Sequence, residues 1–357
     1  MKITSLDLKP YQLTYRGGFS IASGHLDHAP VVYILVHTDE GLTGLGYASG
    51  SATFYCGETQ ESIMAAIGRI MEPIIRGRDP FDIEPMMTEI DNNLRLNLRA
   101  KAGLEMALYD LIGKILNLPL FRLWGGLCKR EVLVTRMLGI ASPEEMASKA
   151  ADLVREGFKS LKVKIGKDPK GDIDRVRAVR EAVGPDVALC ADANQGYRVK
   201  DAIRTIRGIE RYEICWVEQP VPADDLDGLA LVRKSVAVPI EADESVRSLS
   251  DAMNLIKKEA ADFISLKPSE MGGFRKIRKI LALCEAANVK CLIGTAPGSS
   301  LIDAANAHFI ASSPLINLPC ELGESLRMQN DPVSGLKIEN GMAWVPEGPG
   351  LGIQLHL

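Results

Sequence analysis

The sequence predicts an α/β chain: a TIM-like (β/α)7β barrel behind an α+β N-terminal unit. Three observations carry this. From residue 131 onward, eight short apolar or β-branched runs recur, at 131–138, 160–165, 187–191, 214–217, 238–242, 263–266, 290–293 and 315–320. Seven of the gaps between them hold an amphipathic helical pattern, as at 143–156 and 274–287. Strands joined by helical crossovers pair in parallel, and eight is the number that closes a barrel. An open doubly wound sheet is the structural rival, but no Gly-x-Gly-x-x-Gly follows the first strand. The third observation is chemical: charged residues stand where successive strands end, which is where barrel enzymes place their active sites.

The elements follow in order. Residues 3–15 and 31–38 read as strands, 39–41 as a turn and 42–47 as a third strand, so the last two form a hairpin. Gly44-x-Gly46 lies in that hairpin and reads as backbone geometry. Three helical patterns follow at 58–75, 80–92 and 98–116, the last with Leu104, Leu108, Leu111 and Ile115 on one face. It stops before Pro119, as helices do. The barrel runs then occupy 126–325. The tail, 326–357, resumes hairpin-like alternation from Gly335 and is expected to return to the first unit, residues 1–125.

Composition narrows the function. The 357 residues are 46% hydrophobic and 25% charged, which is globular and not disordered. Acidic side chains number 46 against 42 basic, so no field exists to hold nucleic acid or an anionic membrane. No apolar run approaches the ~20 residues of a membrane helix, and the N-terminus alternates like a strand rather than a signal peptide. Seven cysteines without a Cys-x-x-Cys pair read as buried thiols in a reducing cytoplasm.

At the strand ends stand Lys162-x-Lys164, then Asp192 with Asn194 two further on, Glu218, Asp243 and Lys267. The last four recur 24 to 26 residues apart, one β/α unit each time. Alternation puts Lys162 and Lys164 on one face, with Lys162 below the mouth. Three carboxylates converging at a mouth repel one another unless a cation holds them. An all-oxygen set with room for water and substrate suits Mg²⁺. Such a metal can stabilise the enediolate formed when a carboxylate substrate loses its α-proton. Lys164 and Lys267 sit on strands across the barrel, so each can face one side of a single α-carbon. Use of either lysine as a Schiff-base nucleophile would leave the three acids unexplained.

These residues resemble the enolase superfamily, specifically its muconate lactonizing enzyme subgroup, across the whole chain. The motifs are Leu161-Lys162-Val163-Lys164-Ile165, Ala191-Asp192-Ala193-Asn194, Trp216-Val217-Glu218-Gln219-Pro220, Ala242-Asp243-Glu244-Ser245 and Leu266-Lys267-Pro268-x-x-Met271-Gly272-Gly273. The resemblance implies a capping domain over the barrel mouth, with Asp192, Glu218 and Asp243 holding Mg²⁺. It implies Lys164 and Lys267 as the acid/base pair, with the charge on Lys162 easing proton loss from Lys164. The run Leu292-Ile293-Gly294-Thr295 has no histidine, which argues against the mandelate racemase subgroup. The implied activity is a racemase or epimerase of an amino-acid derivative. The alternatives are a muconate-type cycloisomerase or a syn-dehydratase of the succinylbenzoate-forming kind. Dipeptide epimerases of the subgroup carry Asp-x-Asp on strand eight to bind an ammonium; here the stretch is Cys320-Glu321-Leu322-Gly323-Glu324, with one acid in register. Residues 17–24 are expected to close over a small carboxylate substrate, with Phe19, Tyr55, Asn194 and Glu321 touching it. Self-association is expected, as is common in that family.

Overall fold

The computed structural model describes residues 1–53 and 57–357. Three antiparallel strands open the chain, β1 (Ile3–Ile21), β2 (Gly24–Thr38) and β3 (Thr43–Ser49), in the order β1-β2-β3. The first two are longer than the sequence suggests. Gly17, Gly18 and the polar run from His25 to His28 read as loop, yet pairing continues past them to Ile21 and Gly24. The register shift between Thr14 and Phe19 absorbs the two glycines, which take left-handed φ of 77° and 68°. The expected loop is therefore an arm of paired strand with its turn at Ala22-Ser23.

Helices Gln60–Ala66 and Leu98–Ile115 lie on this sheet, and Ile83–Asn93 packs against Leu98–Ile115. Leu104, Leu108 and Leu111 are fully buried against Val32, Ile34 and Val36. The last helix crosses β3 so closely that a Cβ at Gly44 would overlap the Ala107 carbonyl, and one at Gly46 the Gly103 carbonyl. That gives the Gly-x-Gly its backbone role.

A short strand β4 (Glu131–Leu133) precedes seven parallel strands: β5 (Thr135–Leu138), β6 (Ser160–Lys164), β7 (Ala188–Asp192), β8 (Ile214–Glu218), β9 (Ile240–Ala242), β10 (Phe263–Leu266) and β11 (Lys290–Ile293). Their order is sequential from β5 to β11. The single run expected at 131–138 is thus two strands. The eighth strand expected at 315–320 shrinks to a bridge at Cys320, and Pro319 removes a ladder donor from that stretch. The bridge still joins the sheet's ends: Thr135 N–H donates to the Cys320 carbonyl at 2.8 Å and Glu321 N–H to the Ile293 carbonyl at 2.9 Å.

The tail adds β12 (Val333–Ser334), β13 (Lys337–Glu339), β14 (Met342–Trp344) and β15 (Gln354–Leu355). β14 pairs with β4, while Met328 bridges to Tyr15 and Gly350 to Pro119. The tail thus touches both the opening sheet's arm and the short strand that leads into the barrel. Among the described residues no helix is long and apolar enough to cross a membrane, and the six described cysteines are free thiols.

Candidate active site

The parallel strands bring the predicted charges to one end of the sheet. Lys164 pairs in register with Asp192, and Asp192 with Glu218. Asp243 and Lys267 each follow directly on their strands, β9 and β10. All are buried: Lys162, Lys164, Asp192, Glu218, Asp243 and Lys267 each expose 7% or less. A side chain can point into a barrel at such cost only if charge answers charge. Lys164 contacts Asp192 and donates to Asn194 Oδ1 at 3.1 Å. Lys267 contacts Asp243. Lys162, one layer down, contacts both Glu218 and Glu321.

Glu321 therefore lies beneath the site rather than in it. Its second oxygen accepts the Thr295 N–H at 3.0 Å. Both oxygens thus meet partners inside the barrel, and Glu321 is not among the residues lining the cavity at the barrel mouth. Tyr55, also expected at the substrate, lies outside the described residues. Phe19 and Asn194 do line the cavity at the barrel mouth, together with Lys164 and Lys267. The cavity holds about 60 Å³, roofed by Tyr15, Phe19, Ile21 and Leu26 from the opening hairpin. Ala52, Arg99, Met137, Thr295, Ala296, Pro297 and Glu324 complete its wall. Glu324 follows Gly323, whose φ is 81°, in an irregular stretch where period-two reasoning has no purchase. Its oxygen accepts from Arg327 Nε at 2.9 Å, and Arg327 lies over the Phe19 ring at 4.5 Å.

The interior carries more acid than the lysines balance. Glu241, one turn of the pleat below Asp243, and Glu244 beside it are also buried. Asp192, Glu218, Glu241, Asp243, Glu244 and Glu321 thus face Lys162, Lys164 and Lys267, six carboxyls to three ammoniums. Both oxygens of Glu241, Oε1 of Glu218 and Oε2 of Glu244 have no hydrogen-bond partner. Burial first, then the Asp192 charge, pushes Glu218 up to about 7. Burial and Asp243 push Glu244 up to about 8. Burial disfavours charge on Lys162, but Glu218, Asp192 and Glu241 outweigh it and hold its proton more tightly than usual. Lys267 is held the same way, against its burial, chiefly by Asp243.

Of the three expected ligands Glu218 keeps one oxygen without a hydrogen-bond partner, and with the buried carboxylates of Asp192 and Asp243 it makes an all-oxygen donor set of the kind that fits a hard divalent cation. Among the described residues no three such groups stand close enough to grip an ion as they are. Each of the three meets a lysine ammonium instead.

Comparison with known proteins agrees with this frame. Residues 6–125 match the N-terminal domain of the mandelate racemase / muconate lactonizing enzyme family, and residues 145–356 match the enolase C-terminal domain-like family. The chain belongs to the mandelate racemase / muconate lactonizing enzyme family of the enolase superfamily. It is 35% identical to an N-succinyl-L-Arg/Lys racemase of Bacillus cereus, covering 100% of this chain and 96% of that protein. It is 36% identical to a hydrophobic dipeptide epimerase of Enterococcus faecalis over 99% of both. A solved dipeptide epimerase from Enterococcus faecalis, complexed with Mg and the dipeptide L-Leu-L-Tyr, superposes with a TM-score of 0.95 over 99% of this chain and 100% of that one. Membership in this family accounts for the barrel under its antiparallel cap.

Proposed function

We propose that the chain is a Mg²⁺-dependent racemase or epimerase in which one of Lys164 and Lys267 removes the α-proton of an amino-acid derivative and the other delivers a proton to the opposite face. The observation that carries this reading is that two lysines from strands across the barrel line one cavity, above an excess of buried carboxylate. Asp192, Glu218 and Asp243 would hold the ion, which supplies positive charge to the substrate carboxylate as its α-proton leaves. The protein's own groups do the rest. Lys164 takes or returns the proton on one face, with Asn194 orienting its ammonium. Lys267 does so on the other. Lys162 offsets Glu218 and Glu321 below. Phe19, Ile21 and Leu26 cover the reacting atoms and exclude water. In this division residues 1–125 set selectivity, 126–325 carry the chemistry, and 326–357 tie the two together. The free thiols fit a reducing, cytoplasmic setting.

The relatives act on N-succinylated amino acids and on dipeptides. An N-acylated substrate suits this cavity better than one with a free ammonium. Glu321 is committed to Lys162, and Glu324 already accepts from Arg327. An ammonium placed there would compete with an arginine for a charge already answered. Cycloisomerases and dehydratases of the family share the two lysines and the metal residues, so what favours the racemase or epimerase reading over them is the similarity to N-succinyl-amino-acid racemase and dipeptide epimerase relatives.

The test is a panel of N-acyl amino acids and dipeptides in D₂O with Mg²⁺, followed by NMR at Cα. Deuterium entering both enantiomers, abolished by EDTA, is the expected result. Turnover with full activity in EDTA, or product without deuterium exchange from either enantiomer, would overturn the reading.

A further inference from the structure

Asp172 is a buried acid that the chemistry above does not use. It stands in the first turn of the helix Pro169–Val183, with 0% exposure. One oxygen, Oδ2, accepts the backbone N–H groups of Gly166, Lys167 and Asp168 at 3.0, 2.9 and 3.0 Å. The same oxygen accepts the Tyr197 hydroxyl at 2.6 Å, and Arg175 donates to Oδ1 at 2.7 Å. The Tyr197 oxygen in turn accepts the Gly166 N–H at 3.1 Å. A helix cap needs none of this. Asp168 caps that helix by accepting from Gly171, so the Asp172 carboxylate is committed to the preceding loop.

That loop begins two residues after Lys164, and Tyr197 ends the one that begins with Asp192 and Asn194. The two loops touch backbone to backbone. A Cβ at Gly166, whose φ is 102°, would overlap the Ala193 carbonyl, and one at Gly196 the Gly166 carbonyl. The Ile165 N–H donates to the Asp192 carbonyl at 2.8 Å. The opposite half of the site has a clamp of its own. Gln219 Oε1 accepts the N–H groups of Asp243 and Ser245 at 3.0 and 3.2 Å, while its Nε2 donates to Ser245 Oγ at 2.8 Å. The halves meet where Asn194 Nδ2 donates to Glu244 Oε1 at 3.3 Å.

We propose that Asp172, acting through Gly166 and Tyr197, is a positioning residue for Lys164 and serves that half of the site alone. The inference rests on the two-lysine reading. It adds that each lysine is aimed by a separate loop clamp. A displacement near 1 Å at a reacting group costs up to ~10²-fold in rate. Loosening this clamp therefore slows proton exchange on one face of the α-carbon and spares the other.

The variants are Asp172→Asn and Tyr197→Phe, with Ser245→Ala on the opposite clamp. Exchange in D₂O is followed separately from N-succinyl-L-arginine and N-succinyl-D-arginine. The enantiomer whose exchange Lys164→Ala abolishes defines the Lys164 face. The expected result is a ~10- to 100-fold loss on that face in the first two variants, with the other face within ~3-fold, and the reverse pattern in Ser245→Ala. Equal losses on both faces would overturn the proposal, since general destabilisation has no handedness. A second measurement needs no substrate. Amide hydrogen exchange of the full chain should quicken at 165–168 and 193–197 in Tyr197→Phe and stay unchanged at 243–247. Uniform quickening, or none, sinks the inference by itself. Absence of α-proton exchange in the wild type would instead count against the racemase reading.

Discussion

Each lysine in the barrel is held by an acid that the proposed function also assigns to the metal, and that duality makes single substitutions informative. Asp192→Asn, Glu218→Gln and Asp243→Asn each remove a charge from a contact with a lysine while keeping the side chain's volume. Each should abolish α-proton exchange, with the circular dichroism spectrum retained; exchange near the wild-type rate in any one would remove that residue from the metal site. Lys164→Ala and Lys267→Ala should lower overall isomerisation by ~10²–10⁴-fold each, because one acid and one base are needed per turnover. Each should still exchange the proton on its partner's face. Turnover nearly intact in Lys267→Ala would leave a one-base reaction, read directly from the deuterium pattern. The strand-end rule placed all five of these side chains without structural help, because parallel pairing forces residues of equal register to one rim. It has less purchase at Glu321, where strand eight reduces to a bridge and the side chain meets Lys162. It also had no reach to Asp172 or Glu324, which stand on a helix and in an irregular turn.

At the level of elements, the opening hairpin and its helix are coupled through missing side chains. Gly44 and Gly46 let the helix Leu98–Ile115 lie directly on β3, with its carbonyls where Cβ atoms would be. Gly46→Val should cost ~1–3 kcal/mol or more, the usual penalty of forcing atoms into a packed contact. Urea unfolding would measure it; a change within error would mean the helix stands farther from the strand than described. The helix was legible because Leu104, Leu108 and Leu111 recur at helical spacing and must be buried. The hairpin arm was not, since Gly17, Gly18 and the polar residues near His25 carry no apolar alternation. Its outer half is held by pairing over the barrel mouth, an interaction a linear pattern does not record. Phe19 was nonetheless placed at the cavity, where it stacks with Tyr15 at 6.3 Å.

Across the whole molecule, one buried histidine joins three distant segments. His308, on the helix Ser300–Ser312, takes the Phe121 N–H on Nδ1 at 3.4 Å and offers Nε2 to the Leu351 carbonyl at 3.1 Å. Its ring stacks on Phe121 at 5.7 Å. Phe121 follows the cap's long helix and Leu351 lies in the returning tail, so the ring pins cap and tail to a barrel helix. Burial lowers its pKa to about 4, only partly offset by the bond to Leu351. The unfolded chain would take up that proton near pH 6.5. Between those values the unfolded state binds more protons than the folded one, so stability rises with pH. The contribution is full above about 6.5 and is lost as pH falls toward 4, amounting to at most ~3 kcal/mol at 1.36 kcal/mol per pKa unit. Acidification from about pH 6.5 toward 4 should therefore loosen the cap and tail from the barrel. His308→Gln keeps a polar group at the position without a proton to gain. Its unfolding free energy should be lower than the wild type's at pH 7, from lost packing, and the gap should narrow at pH 4.5. Parallel pH profiles for the two proteins would show that His308 carries none of the acid sensitivity.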